Sequence, residues 1–400
     1  DDRGRPRLWI DRVFAVHGSG TVVTGTLTGG GFAVDRQVLV EPGGRPARIR
    51  ALQQAGRTIE WIGPGNRVAV NLAGVDHHDL ARGHAVVEPD RWRRTSCVDA
   101  SLHVLPSIDH DVSRRGAFVA YLGSGEHPVR LRVLGPSALE PGSAGAVRLF
   151  LRTALPLLPG DRFVLREMGR DETVGGGEIL DIAPVLRASR ARPDRSVERV
   201  VRERGWVTAQ ELELLTGVAV EPVVGEWLTT PDLLDATRRE LAARVEEAGP
   251  AGLDVAVFDQ RERAVLATVD DVVVDATTVR AAGVADAFVD HPYLAAARAG
   301  GFAPPQPEGV DKGELRELVR RGGIVVRDGV HFHADAVLQA ADVAAALLAQ
   351  HPEGFTVAQF RDATGASRKF ALPLVAELDA RGVTRRRGDL RIAGPRLPGR

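Results

Sequence analysis

The sequence predicts a multidomain chain: two all-β barrels followed by tandem α+β winged-helix modules. Three observations predict it. Short β-branched segments recur through the first 185 residues between Pro-Gly and Gly-Gly turns, and after Pro184 the apolar period becomes helical. Two later stretches then carry Asp-Gly or Gly-Asp between apolar or basic strands, the signature of a hairpin.

The first barrel is placed at residues 1–93. In Arg7 to Val16, the side chains of Leu8, Ile10, Phe14 and Val16 fall on one alternating face. Thr21 to Leu27 is β-branched up to the Gly29-Gly30-Gly31 break, and short strands are predicted at 38–40, 47–52 and 67–72. The second barrel is placed at 94–186, with strands at 97–105, 117–122, 128–134, 146–153 and 162–167. Gly175-Gly176-Gly177 is read as a turn leading into Glu178 to Ile182. Many short strands at such spacing predict closed barrels.

Ala188 to Pro193 reads as a linker. Thr208-Ala-Gln-Glu211 and Thr356-Val-Ala-Gln359 have the capping-box pattern, and Asp311-Lys-Gly-Glu314 is a looser version. Three helix starts of one type imply a repeated small module. Ile324 to Phe332, through Asp328-Gly329, and Val383 to Ile392, through Gly388-Asp389, supply two-stranded wings. Three or four modules are expected: one or two in 187–275, one in 276–338 and the last in 339–400. In the last, a helix at about 339–350 precedes the Thr356-capped helix, and Ser367 caps a third helix running to about Ala380. Phe370, Leu374, Val375 and Leu378 form its apolar stripe, and Pro373 should loosen its first turns.

Composition narrows the function classes. No apolar run approaches the roughly 18–20 residues that span a bilayer, and Asp1 to Arg7 is too charged for a secretory signal, so the cytoplasm and no membrane partner are expected. A single cysteine, Cys97, excludes an internal disulfide framework and a multi-cysteine zinc site, and it reads as a small apolar side chain. The chain opens on Asp1 and enters a strand pattern within eight residues, so a domain is expected upstream. Of 52 basic residues only Lys312 and Lys369 are lysine. A Walker A loop needs a lysine after its glycines, and none precedes position 312. Residues 191–350 carry a net charge of −10 and residues 351–400 a net charge of +5. A basic end after an acidic spacer points to a module for a polyanion.

The candidate chemistry follows from that end. Ser367, Arg368 and Lys369 at a helix start combine amide donors, a helix dipole and two cations, which suits a phosphate backbone. Arg385, Arg386, Arg387 and Arg391 add a basic wing, some of which must face solvent because strand side chains alternate. The module alone leaves RNA and DNA open. In the first barrel, Asp11, Arg12 and Arg67 are either a surface salt bridge or a pocket for an anionic group. His77-His78 and His331-x-His333 have no carboxylate or cysteine cluster at ligand spacing, so no metal is expected. Gly18-Ser-Gly-Thr-Val-Val-Thr-Gly25 runs into a strand and not a helix, unlike a phosphate loop, and no catalytic constellation stands out.

Ile10-Asp-Arg-Val-Phe14 followed by Gly18 to Thr26 resembles the opening of the second domain of translational GTPases. Gly160-Asp-Arg-Phe-Val-Leu-Arg166 with Thr173-Val-Gly-Gly-Gly177 resembles the end of their third domain. The tail, Phe360 to Leu374 and Thr384 to Arg391, is similar to the terminus of bacterial selenocysteine-specific elongation factors. The resemblance implies barrels that hold selenocysteinyl-tRNA and a last module that grips the selenocysteine insertion hairpin of mRNA, delivering selenocysteine at UGA codons on the ribosome. It implies Asp11, Arg12 and Arg67 around the selenocysteinyl group, where arginines favour a selenolate over a serine hydroxyl. It also implies that Arg361, Ser367, Arg368 and Lys369 face RNA. GTP, Mg and the family's GTPase activity are expected in a domain preceding this chain, so the chain is expected to be a monomer that is not itself an enzyme and holds no cofactor. The alternative is a winged-helix DNA-binding regulator with β sensory domains, or a protein scaffold.

Overall fold

In the computed structural model, which describes residues 2–16, 20–284 and 286–398, Leu8 and Ile10 of the strand Arg7–Val16 lie fully buried. A bulge then reverses the strand. Ile10 pairs with Gly25 and Arg12 with Thr24, leaving Asp11 as the extra residue. One inserted residue moves every later side chain to the other face. Phe14 and Val16, expected inside, are therefore exposed, and Val13 packs toward the core instead. Gly18 and Ser19 lie outside the described residues.

The first barrel closes through antiparallel pairings in the order Gln37–Glu41, Ala85–Val87, Arg7–Val16, Gly20–Thr28, Arg67–Ala73, Arg45–Gln54 and back to Gln37–Glu41. Val23, Leu27, Ile49, Leu52 and Val70 fill it. The second barrel closes in the order Arg94–Val104, Ala144–Pro156, Gly125–Leu134, Phe118–Leu122, Arg162–Glu167 and Glu172–Asp181. Here the expected glycine turn is instead the middle of the strand Glu172–Asp181. The reason is crowding: a Cβ at Gly175 would sit 2.3 Å from the His103 carbonyl oxygen, and one at Gly177 would sit 1.9 Å from that of Ser101. Glycine lets neighbouring backbones approach.

Arg7 ties the barrels together. It holds both carboxylate oxygens of Asp161 at 2.6 and 2.7 Å, donates to the Pro156 carbonyl at 2.7 Å, and lies over the rings of Trp9 and Trp92. The helices Val197–Arg204 and Ala209–Thr216 do not form a free-standing module, because Val200, Val201, Leu212, Leu215 and Leu228 belong to the core of the second barrel. Beneath them Arg199 reaches Asp181 at 2.9 Å, Glu203 at 2.7 Å and Asp194 at 3.1 Å, while Arg148 clamps Asp99 at 2.6 and 2.8 Å.

The chain divides into Asp1–Asp235 and Ala236–Arg400. In the second unit the modules do not break where the sequence places them. The wing strands Val272–Val274 and Thr278–Ala281 pair across the expected 275/276 boundary, and the helix Ala334–Gln350 runs through 338/339. Hairpin Ile324–His333 shares a core with the last module, where Val330 and Phe332 meet Val337, Ala340 and Leu374. Sequence cues mark helix starts and turns, but a module ends where its apolar face is covered, which is a tertiary property.

One ion cluster gives this unit an acid limit. Glu317 accepts from Arg320 at 2.6 and 2.7 Å and from Arg321 at 2.7 Å. The Arg320 hydrogen bonds, helped by Arg321 and opposed by partial burial, lower its pKa from 4.5 to about 2. A depressed carboxylate contributes stability above its unfolded pKa and loses it as pH falls through the folded one. Glu317→Gln is expected to cost about 1 kcal/mol near neutrality, after solvent screening, and nothing below about pH 2. Circular-dichroism melts at both pH values check this.

Candidate functional site

The bulge that reverses the first strand also builds the anionic end of a site. Asp11 receives a hydrogen bond from the Thr24 hydroxyl at 2.7 Å and two from Arg67, one of them Nη2 to Oδ1 at 3.0 Å and the other Nη1 to Oδ2. Arg67, at the start of Arg67–Ala73, is more than half exposed, and Arg12 is exposed beside them without an ion pair among the described residues. Burial alone would raise the Asp11 carboxyl. Hydrogen bonds from Arg67 and Thr24, with the charges of Arg67 and Arg12, outweigh it and hold the group below the usual carboxylate range. Two guanidinium groups thus stand against one carboxylate on the barrel surface. Thr24→Val, which removes one donor, is expected to move the Asp11 pKa upward in an NMR titration, and an unmoved value would refute its positioning role.

The last module gathers its basic residues from three elements. Helix Val357–Thr364 starts with a capping box, the Thr356 hydroxyl accepting from the Gln359 amide and Gln359 accepting from that of Thr356. Helix Arg368–Ala380 follows, and strands Thr384–Arg387 and Leu390–Ala393 form the wing. Leu374, Val375 and Leu378 are fully buried, Phe370 partly so, and the helix runs unbroken through buried Pro373. With that stripe inside, Arg361 and Arg368 share a cavity of about 380 Å³ with Ala358, Leu372, Arg386 and Asp389. Leu372 gives it an apolar patch, 43% exposed.

Two predicted residues behave differently from expectation. Arg391 is nine-tenths buried and bound to Asp379 at 2.7 Å, so its charge is spent on holding the wing to the third helix. Ser367 occupies the N-cap position without capping through its side chain, because its own carbonyl takes the Phe370 and Ala371 amides. Its hydroxyl stays exposed beside Arg368 and Lys369. Arg385 and Arg387 are exposed on the wing, and by strand alternation they face away from Arg386. Arg361 leans on its neighbour Asp362 at 2.6 Å.

A second basic surface escaped the sequence reading. On the second barrel, Arg114, Arg115, Arg130 and Arg132 line a cleft of about 910 Å³ that no carboxylate faces. Arg187 joins them in an adjoining cavity, and Arg130 lies over the Phe150 ring at 5.3 Å. None of these five arginines makes an ion pair among the described residues. The period-two pair Arg130 and Arg132 is the signal that could have found it, since both must leave the strand Gly125–Leu134 on one face.

Several of the histidines have local partners. His333 caps the helix Ala334–Gln350 by accepting the Asp335 amide. Asp76 does gather beside His77 and His78, and the fold brings His110, Glu167 and Glu172 together, clusters that the sequence reading did not foresee. The two ring nitrogens of His110 already face different carboxylates, Nε2 at 2.8 Å from Glu167 and Nδ1 at 3.5 Å from Glu172. Asp109 stands 3.3 Å from Nδ1 as well, so the imidazole bridges three carboxylates.

Residues 106–185 match the family model of the selenocysteine-specific elongation factor β-barrel domain, and residues 346–393 match that of the elongation factor SelB winged helix. The second barrel and the last winged helix thus match the domain models of selenocysteine-specific elongation factors. A selenocysteine-specific elongation factor from Desulfomicrobium baculatum is 32% identical over 208 residues, covering 52% of this chain and 32% of that protein. The Escherichia coli one is 30% identical over 189 residues, 46% of this chain and 28% of that protein. Elongation factor 1-alpha from Pyrobaculum aerophilum is 26% identical over 199 residues, 44% of each. The matches thus span about a third of the length of the selenocysteine-specific relatives. A crystal structure of the bacterial factor EF-Sec shares the fold, with a TM-score of 0.61 at 18% identity over 97% of this chain and 69% of that one. No helix among the described residues is long and apolar enough to cross a membrane.

Proposed function

We propose that this chain is the part of a selenocysteine-specific elongation factor that holds selenocysteinyl-tRNA on its barrels and tethers the selenocysteine insertion hairpin of mRNA with its last winged helix. The observation that carries this is the convergence of Arg361, Arg368 and Arg386 around one partly apolar cavity, within the segment that matches the family's winged helix. Guanidinium groups supply phosphate contacts, and an apolar wall beside them accommodates an unstacked base, the usual basis of single-stranded RNA recognition. The Asp11, Arg12 and Arg67 group supplies the specificity of the tRNA end. A selenolate gains from two nearby guanidinium groups what a neutral serine hydroxyl does not. The unpaired arginines of the second-barrel cleft then meet the phosphates of the tRNA body. GTP chemistry is assigned to no residue of this chain, and delivery takes place on the ribosome.

Competition in filter binding tests the tail. The source organism's own insertion hairpin should bind in preference to a scrambled hairpin and to duplex DNA. Equal affinity for all three would remove the assignment, and preference for duplex DNA would favour a transcriptional regulator.

A further inference from the structure

In the second barrel, the loop after the strand Arg94–Val104 and the hairpin formed by Arg162–Glu167 and Glu172–Asp181 bring an imidazole and three carboxylates together. The hairpin register sets Glu167 directly opposite Glu172. Like charges at such a position repel and destabilise a sheet. Both are nevertheless drawn away from water, to 14% and 34% side-chain exposure, around the His110 ring at 16%. One ligand atom from each of these three residues lies within 4.8 Å of the others.

The contacts of His110 are unequal. Nε2 stands 2.8 Å from Glu167 Oε2, an ordinary hydrogen bond. In the neutral ring that bond fixes the proton on Nε2 and leaves a lone pair on Nδ1. Yet Nδ1 faces two anionic oxygens, Asp109 Oδ1 at 3.3 Å and Glu172 Oε1 at 3.5 Å. Those distances exceed the usual N–H···O range, and one ring proton cannot serve both. They do match the separation of two atoms bound to one metal ion: ligands about 2.0–2.1 Å from zinc at tetrahedral angles stand roughly 3.3 Å apart. A carboxylate on the far ring nitrogen is the usual outer partner of a metal-bound histidine, whose tautomer and orientation it fixes. Arg170 reaches Asp109 and Glu167 only at 3.9 Å and is half exposed. With a neutral imidazole, three carboxylates against that arginine leave two negative charges, which suits a divalent ion.

We propose that Nδ1 of His110, Glu172 and Asp109 bind a divalent transition-metal ion of the zinc type, with Glu167 orienting the imidazole through Nε2. A nitrogen ligand beside carboxylates suits zinc better than calcium or magnesium, which take oxygen shells. The ion joins the loop at 109–110 to the end of the hairpin and offsets the repulsion between Glu167 and Glu172. The site shares no residue with the Asp11 group, the arginine cleft or the tail, so those readings stand or fall separately.

Calorimetric titration of the whole, chelator-treated chain with zinc chloride tests this. It uses a His77→Ala, His78→Ala background, because those two rings with Asp76 form another cluster of metal-binding type. Saturable one-to-one binding is expected, together with a rise in the melting temperature of the barrel unit. His110→Gln should remove saturable binding, and Glu167→Gln should weaken it by about 10–100-fold without changing the stoichiometry. Glu172→Gln should also remove binding. Because it relieves a like-charge pair, its zinc-free melting temperature should equal or exceed that of the background chain, which keeps the test open if His110→Gln folds poorly. Absence of saturable binding in the background chain, or undiminished affinity in both His110→Gln and Glu172→Gln, would overturn the proposal.

Discussion

Arg199→Ala is expected to destabilise the barrel unit by about 3–5 kcal/mol, the cost of leaving a buried carboxylate without its partner. Arg199 and Asp181 are each at least 96% buried, and Asp181 closes the second barrel while Arg199 sits in the first helix after it. Burial opposes the charge on Arg199, but Asp181, Glu203 and Asp194 outweigh it and hold the guanidinium above its ordinary pKa. The pair is therefore a fastener between barrel and helix whose halves are costly apart. Urea unfolding followed by tryptophan fluorescence reads this unit alone, because Trp9, Trp61, Trp92, Trp206 and Trp227 all precede residue 236. The midpoint should fall sharply in Arg199→Ala. Replacing both partners by apolar residues, Arg199→Met with Asp181→Leu, should recover much of the loss. If the single variant unfolds at the wild-type midpoint, the network contributes nothing to docking.

On the proposed reading, Arg368→Ala is expected to weaken hairpin binding by about 1–3 kcal/mol if it contacts a base, whereas Arg385→Ala, if it meets only phosphate, should chiefly lower the salt slope by about one. The distinction comes from placement: Arg368 lines the cavity beside Leu372, while Arg385 stands on the open face of the wing. Binding curves at several salt concentrations separate the two effects. Arg391→Ala provides the contrast, since removing the partner of Asp379 should lower the melting temperature of the last module first and RNA affinity only through it.

Much of this was legible in the chain. Period-two segments between glycine and proline turns located nearly every barrel strand, because a half-buried strand must alternate its side chains wherever it stands. The Thr356 capping box and the stripe Leu374, Val375 and Leu378 located the last module, because amide satisfaction and helical period are local. From that stripe alone it followed that Arg368 faces outward.

What local rules could not reach was decided by neighbours distant in sequence. Asp11 and Arg67 were read as candidates, but the bulge that presents Asp11 to Arg67 and Thr24, and turns Phe14 out, exists only through pairing with the strand Gly20–Thr28. Gly175 to Gly177 looked like a turn because glycine permits one; the close approach of the His103 and Ser101 backbones makes them a strand. Arg391 looked free because nothing in sequence places Asp379 beneath it. The sequence by itself determined the class of each element, its start and the sign of each charge, all of which depend on residues a few positions apart. The tertiary structure decided which charges are neutralised and which remain available, because pairing and desolvation depend on distances that only the closed barrels and the packed last module set.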